Sequence, residues 1–304
     1  MSGSQLSAES IPWAQERLKE CVNGDILVLG GGWVGTSIAR HSPDRVIMTH
    51  RDADKVKCSQ AAGLQAVVFS LEDEATWANL PESFGVVIIT FALGWSTPGR
   101  DKVQRLYARL STGTPQLIRL APPIIVLSTT SVFGVPDVLH ATVDEESPLT
   151  GVGVTGKSQE DRVQAEQWLL GKGAAVLALS GLVGPGREVS NIINRARPNG
   201  AAGVNLVHVD DVCAVVRFVA AGMISGERII VSSGSYKYSD LAAGLGLEPL
   251  PEVIGELLPK QTKRVSFKRL LGLLPREYYF TLPVDDCLPV EDQRTTIHRL
   301  YSTH

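Results

Sequence analysis

The sequence predicts an α/β fold in which a parallel sheet is covered by helices on both faces, and three observations carry that reading. Short, strongly apolar runs alternate with helical stretches, a glycine-rich turn joins the first run to a helix, and the composition is that of an ordinary globular chain. Strands buried on both faces read as near-continuous apolar runs, whereas strands with one wet face alternate.

Taken in order, Ser2 to Ser10 reads as disordered and Pro12 to Val22 as a short amphipathic helix. Six runs then read as strands: Ile26 to Leu29, Val46 to Thr49, Ala66 to Phe69, Val86 to Phe91, Ile124 to Ser128 and Ala175 to Leu179. Beyond Gly181 the pattern breaks into loops and short helices punctuated by Pro185, Pro198, Pro249, Pro251 and Pro259. The division that follows is an N-terminal extension (1–24), a sheet domain (25–180) and a small C-terminal lobe for substrate with a tail (181–304), the lobe interleaved with the sheet.

The first strand runs into glycines spaced G-x-G-x-x-G at Gly30, Gly32 and Gly35, and a helical stretch follows. Gly30 allows the tight turn, Gly32 lets main chain approach a pyrophosphate, and Gly35 lets the helix pack close to the strand. The pyrophosphate would rest on the helix N-terminus, where N–H groups and the dipole favour negative charge. With a strand before it, a helix after it and a second strand one unit later, the turn makes the sheet domain a Rossmann-type, doubly wound, NAD(P)-binding one.

The second strand ends at Thr49, His50 and Arg51, where this fold addresses the adenosine ribose. An acidic residue there favours NAD. A guanidinium suits a 2′-phosphate by charge and by its forked donors, so Arg51 points to NADP, with NAD the lesser expectation. Arg51 could instead be a solvated charge with Asp52 capping the next helix, or Asp52 could itself reach the ribose.

A formal net charge of -3 and the lack of a basic patch argue against nucleic acid, and no apolar run is long enough to insert in a membrane. Cys21, Cys58, Cys213 and Cys287 lie far apart without metal-ligand spacing, so no metal site is expected and a reduced compartment fits. Cytoplasm is the expected location, an organelle remaining open if the N-terminus is processed. The expected partner is a small-molecule substrate, with a homo-oligomer or larger assembly left open.

Four motifs together resemble the extended short-chain dehydrogenase/reductase family, the NAD(P)-dependent epimerase/dehydratase relatives, and most of all its atypical YeeZ-like branch. They are Gly30-Gly-Gly-Trp-Val-Gly35, Leu127-Ser-Thr-Thr-Ser-Val-Phe-Gly134, Gly181-Leu-Val-Gly-Pro-Gly-Arg187 and Asn205-Leu-Val-His-Val-Asp-Asp-Val212. The resemblance implies a catalytic hydroxyl after the fifth strand, matched by Thr129. It also implies a Tyr with a Lys four residues later, and at those positions the chain has Thr155 and Gln159. An aliphatic hydroxyl ionises far above a tyrosine's reference pKa of about 10, so Thr155 cannot simply substitute. Lys157 falls on another helix face, and His208 is the other titratable candidate, either a chemical group or an orienting residue.

By the same resemblance Trp33 and Val34 would cover the pyrophosphate turn, and Ser70 and Leu71 would lie at the adenine. Phe91, Ala92 and Ser128 would follow the cofactor, and Leu182 and Val183 would approach the nicotinamide. Arg187, Asn191 and Asn205 are the candidate substrate contacts, while Ser131 and Phe133 shape their loop. Tyr278 and Tyr279 either bring a phenol to the cleft or pack the lobe. The expected function is an NADP-binding oxidoreductase or epimerase-like enzyme on a small carbonyl or sugar-like substrate. The alternative is a catalytically inactive NADP-binding regulator or structural subunit, which the missing Tyr and Lys favour.

Overall fold

The computed structural model describes residues 25–95, 99–112, 123–134, 141–150, 159–196, 198–222, 224–252, 263–275, 278 and 280–281. Thr155, Lys157, Tyr279, the helix read over 12–22 and the tail from 283 lie outside the described residues. In chain order the strands are β1 (Ile26–Leu29), β2 (Val46–His50), β3 (Gln65–Val68), β4 (Val86–Ile89), β5 (Ile124–Thr129), β6 (Thr142–Val143), β7 (Ala175–Leu179), β8 (Gly181–Val183), β9 (Gly203–His208), β10 (Arg228–Val231), β11 (Gly234–Lys237) and β12 (Arg264–Val265). The α-helices are α1 (Trp33–His41), α2 (Ala53–Ala61), α3 (Gly99–Thr112), α4 (Glu160–Leu170), α5 (Val189–Ala196), α6 (Val209–Ala221), α7 (Tyr238–Gly244) and α8 (Lys268–Leu273).

Seven strands make one parallel sheet in the order β10-β7-β5-β4-β1-β2-β3. From β1 the chain walks outward through β2 and β3, then restarts beside β1 at β4 and walks the other way. The order therefore reverses between β1 and β4, the place where such sheets open a crevice. Alternate side chains leave opposite faces of each strand. Ile26, Val28, Met48, Ile88 and Leu177 pack with Ile38 of α1, Val56 of α2 and Val212 of α6. Leu27, Leu29, Val87 and Val126 pack on the other face with Trp77, Leu106 of α3 and Leu169 of α4.

β8, β9 and β11 form a second, three-stranded sheet, and Val183, Val189, Ile193, Leu206 and Leu241 give that lobe its own core. A single residue, Ser180, separates β7 from β8. Beyond 181 the chain also returns to the main sheet. Helix α6 lies on the main sheet, and β10, unread in the sequence, is its seventh strand. The run Ile229-Ile-Val231 carried that signal but is short and follows a polar stretch.

The C-terminal segment is tied to α6 by one carboxylate. Asp211 is fully buried and accepts from the Tyr278 hydroxyl at 2.7 Å and from the Thr281 N–H at 3.0 Å. Tyr278 also stacks edge-on against Phe280, so it packs this segment. Burial pushes the Asp211 carboxyl from 3.8 up to about 7, against the pull of the Tyr278 and Thr281 hydrogen bonds. Its folded pKa is above its unfolded one, so its contribution to stability is full below pH 3.8 and is lost as the pH rises to about 7. Compared with an Asp211→Asn variant, the wild-type protein should lose stability across that window and level off above it. Urea unfolding from about pH 4 to about pH 8 checks this, and parallel pH curves for the two proteins would contradict it.

Candidate functional site

Because every strand of the main sheet is parallel, the carboxyl ends of β1, β2, β4, β5 and β7 lie along one edge, and the sequence candidates gather there. At the end of β1, Gly30 sits at φ +107°, and a Cβ on it would collide with the Thr90 hydroxyl. A Cβ on Gly31 would strike the His50 ring, and one on Gly35 would strike the Gly30 carbonyl oxygen. Gly32 alone among these faces open space, with nothing within 4 Å of where its Cβ would be.

Hydrogen bonds hold this turn from both neighbouring strands. The Gly30 N–H donates to Thr49 Oγ1 at 2.9 Å, the Gly31 N–H to the Thr49 carbonyl at 2.5 Å, and the Thr90 hydroxyl to the Gly30 carbonyl at 2.8 Å. Helix α1 then begins with no side-chain cap and no acidic residue in its first turn. Helix α2, by contrast, is capped by Asp52, which accepts from the Asp54 N–H at 2.8 Å. The N-terminal N–H groups and positive dipole end of α1 thus face the open side of Gly32, an arrangement suited to an anion.

At the end of β2 the three candidates separate. Thr49 is buried and its hydroxyl serves Gly30. His50 covers Gly31, with Nε2 2.9 Å from Ser59 Oγ, and burial, then Lys55, hold its pKa below 6.5 against the pull of Asp52. Both therefore build the turn, and Arg51 is the exposed member of the three. Ser70 is bound within its own turn, its N–H donating to Thr76 Oγ1 at 2.8 Å, while Leu71 packs on the core. Phe91 lies against Gly30, Ala92 is exposed, and Val34 packs inward.

Beyond β5, Thr129 caps the 3-10 turn Thr130–Phe133. Its oxygen accepts from the Ser131 N–H at 3.2 Å and from the Ser131 hydroxyl at 3.1 Å. With both acceptor positions taken, the Thr129 proton is available to donate. Ser128 points to the other face, where its hydroxyl donates to buried Glu166, which pairs with Arg228 at 2.9 Å. Gln159 stands at the N-cap of α4 and makes no side-chain capping bond.

Several candidate residues also make contacts within the protein. The Trp33 indole N–H reaches across to the Pro185 carbonyl at 3.1 Å, and the Arg187 guanidinium lies over its ring at 5.4 Å. The Gly181–Arg187 segment is thereby pinned to the start of α1. Asn191 donates to Glu188 at 2.6 Å, and Glu188, its pKa lowered by main-chain hydrogen bonds, also accepts from the Gly186 N–H at 2.7 Å. Asn205 donates to the Lys263 carbonyl at 2.8 Å and accepts from the Val265 N–H at 3.1 Å, joining β9 to β12. His208 caps α6, its Nδ1 accepting from the Asp210 N–H at 3.2 Å. Val183 is buried in the lobe core and Leu182 packs against the main core.

Four residues of this edge went unread in the sequence. Gly31 carried a signal in the unbroken glycine triplet, whereas Thr90, Glu166 and Lys263 carried none, since their partners are distant in the chain. The different surroundings of the glycines make a prediction. Gly35→Ala should destabilise the fold by about 1–3 kcal/mol or more, whereas Gly32→Ala should leave thermal stability within about 0.5 kcal/mol of wild type. Equal losses in a denaturation series would contradict this account of the turn.

No family model matches the chain. It is 27% identical over 282 residues to protein YeeZ of Escherichia coli K12, a match covering 88% of this chain and 99% of YeeZ. Among solved structures, a putative epimerase from Burkholderia cenocepacia superposes with TM-score 0.64 at 16% identity, covering 93% of this chain and 99% of that one. A dTDP-glucose 4,6-dehydratase from Bacillus anthracis, solved in complex with NAD, superposes with TM-score 0.62 at 15% identity, covering 93% and 98%. The chain is thus similar in sequence to YeeZ over most of its length and shares its fold with the epimerase and the dehydratase.

Proposed function

We propose that the protein is an NADP-binding oxidoreductase or epimerase-like enzyme acting on a small carbonyl or sugar-like substrate. The observation that carries the reading is the uncapped N-terminus of α1 beside the open face of Gly32, which fits a pyrophosphate. The NAD held by the dehydratase of the same fold supports a nicotinamide dinucleotide. NADP over NAD rests on Arg51, which is exposed at the end of β2, and on Asp52, whose carboxylate is occupied as a helix cap.

A nicotinamide held at this edge would supply or accept a hydride. Thr129 does what the chain itself can do at the reacting oxygen: Ser131 fills its acceptor positions, so its proton is presented outward to polarise a carbonyl. A second reading, an NADP-binding regulator or structural subunit without turnover, is favoured by Gln159, an amide that cannot provide the ammonium the family places there. Ligand present at a hundred times its dissociation constant stabilises a fold by about 2.7 kcal/mol, which would retain such a site without chemistry.

The two readings separate on NADPH oxidation, followed by the near-ultraviolet absorbance of the reduced nicotinamide across a panel of small carbonyls. The enzyme reading expects turnover that Thr129→Val lowers by about 10²–10³ with NADP affinity unchanged. NADP binding without turnover on any member of the panel would favour the regulator. For the cofactor, Arg51→Ala should raise the Kd of NADP by about 10- to 100-fold and leave that of NAD unchanged. An equal change for both nucleotides would remove Arg51 from the 2′-phosphate.

A further inference from the structure

We infer that Lys263, delivered from the start of β12, is the positioning residue of the hydroxyl turn that carries Thr129. The inference rests on the reading of Thr129 as the group that polarises the substrate oxygen. The Lys263 ammonium donates to the Thr130 carbonyl at 2.7 Å and to the Gly134 carbonyl at 2.6 Å, the two residues that bracket this turn. These bonds span more than a hundred residues of sequence, so the turn's shape depends on the β12 segment being in place.

The lysine is itself held in place. Its main-chain carbonyl accepts from Asn205 of β9, and the same Asn205 accepts from the Val265 N–H, so both sides of β12's start are fixed. Only 7% of Lys263 is exposed, and none of the ion pairs formed among the described residues includes it. A buried ammonium without a carboxylate carries a desolvation cost that an apolar side chain of similar length avoids. What the charge supplies here is a clamp with charge-assisted hydrogen bonds on two carbonyls, which leaves the Ser131 donors aimed at Thr129 and the Thr129 proton aimed outward.

Burial lowers the Lys263 pKa from 10.5 to about 8, with no charged neighbour among the described residues contributing. The turn offers Thr130, Ser131, Val132 and Phe133, none of which titrates in this range, and β9 offers the amide of Asn205. The ammonium form therefore holds at neutral pH and is lost as the pH rises through about 8.

Amide hydrogen exchange of the full-length protein tests the clamp, comparing wild type, Lys263→Met and Lys263→Arg. Lys263→Met should speed exchange of residues 131–134 at least about tenfold, while residues 26–35 exchange as in wild type. After correction for intrinsic base catalysis, wild-type exchange in 131–134 should show an added rise through about pH 8 that Lys263→Arg, which keeps its charge, does not show. Unchanged exchange in the methionine variant, or the same pH profile in wild type and the arginine variant, would overturn the inference. Should the methionine variant fail to fold, the pH comparison decides alone. A titration of the wild type with NADP runs alongside: lack of binding counts against the nucleotide reading, while the exchange data still judge the clamp.

Discussion

The rest of the structure depends on one close approach, that of Gly35 to the Gly30 carbonyl. A side chain on Gly35 would drive α1 away from β1, and the helix could no longer start at the edge of the sheet. With the approach allowed, Thr49 and Thr90 bind the turn from the strands on either side, and the sheet order reverses beside it. Sterics, hydrogen bonding and topology therefore converge on the same few residues, the kind of agreement across levels by which a sequence specifies a site.

The second determinant is the way the lobe and the C-terminal segment are tied back to the main sheet. Trp33 binds the Gly184–Arg187 loop, Asn205 fixes the start of β12, and Asp211 holds Tyr278 and Thr281. Each tie joins segments remote in sequence, and that of Asp211 also satisfies a buried carboxylate, where a missing partner would be costly. Lobe docking and the geometry of the carboxyl edge are consequently one problem for this chain.

What could be read in the sequence was what one short segment determines by itself. The glycine turn was legible because glycine states a steric requirement directly, and Ala175–Leu179 because a fully buried strand is apolar throughout. β2 and β5 each proved one residue longer than their apolar runs, ending in His50 and Thr129, since strand pairing continues into polar residues once the neighbours are in place. The roles of polar side chains were less legible. Thr49, Ser128, Asn191 and Asn205 are candidates for ligand contact and His208 for chemistry, and the structure shows each hydrogen-bonded to another part of the protein. Whether a hydroxyl or amide faces a ligand or a neighbour depends on a partner that can lie over a hundred residues away, as with Lys263 and the Thr130 carbonyl.

The central claim is that the turn at Gly30–Gly35 and the bare start of α1 hold a dinucleotide pyrophosphate. The most direct measurement is a crystal structure of the protein grown with NADP. The account places the pyrophosphate at the N-terminus of α1 over Gly32 and the 2′-phosphate at Arg51. A nucleotide bound elsewhere, or crystals grown at saturating NADP with that turn empty, would contradict it.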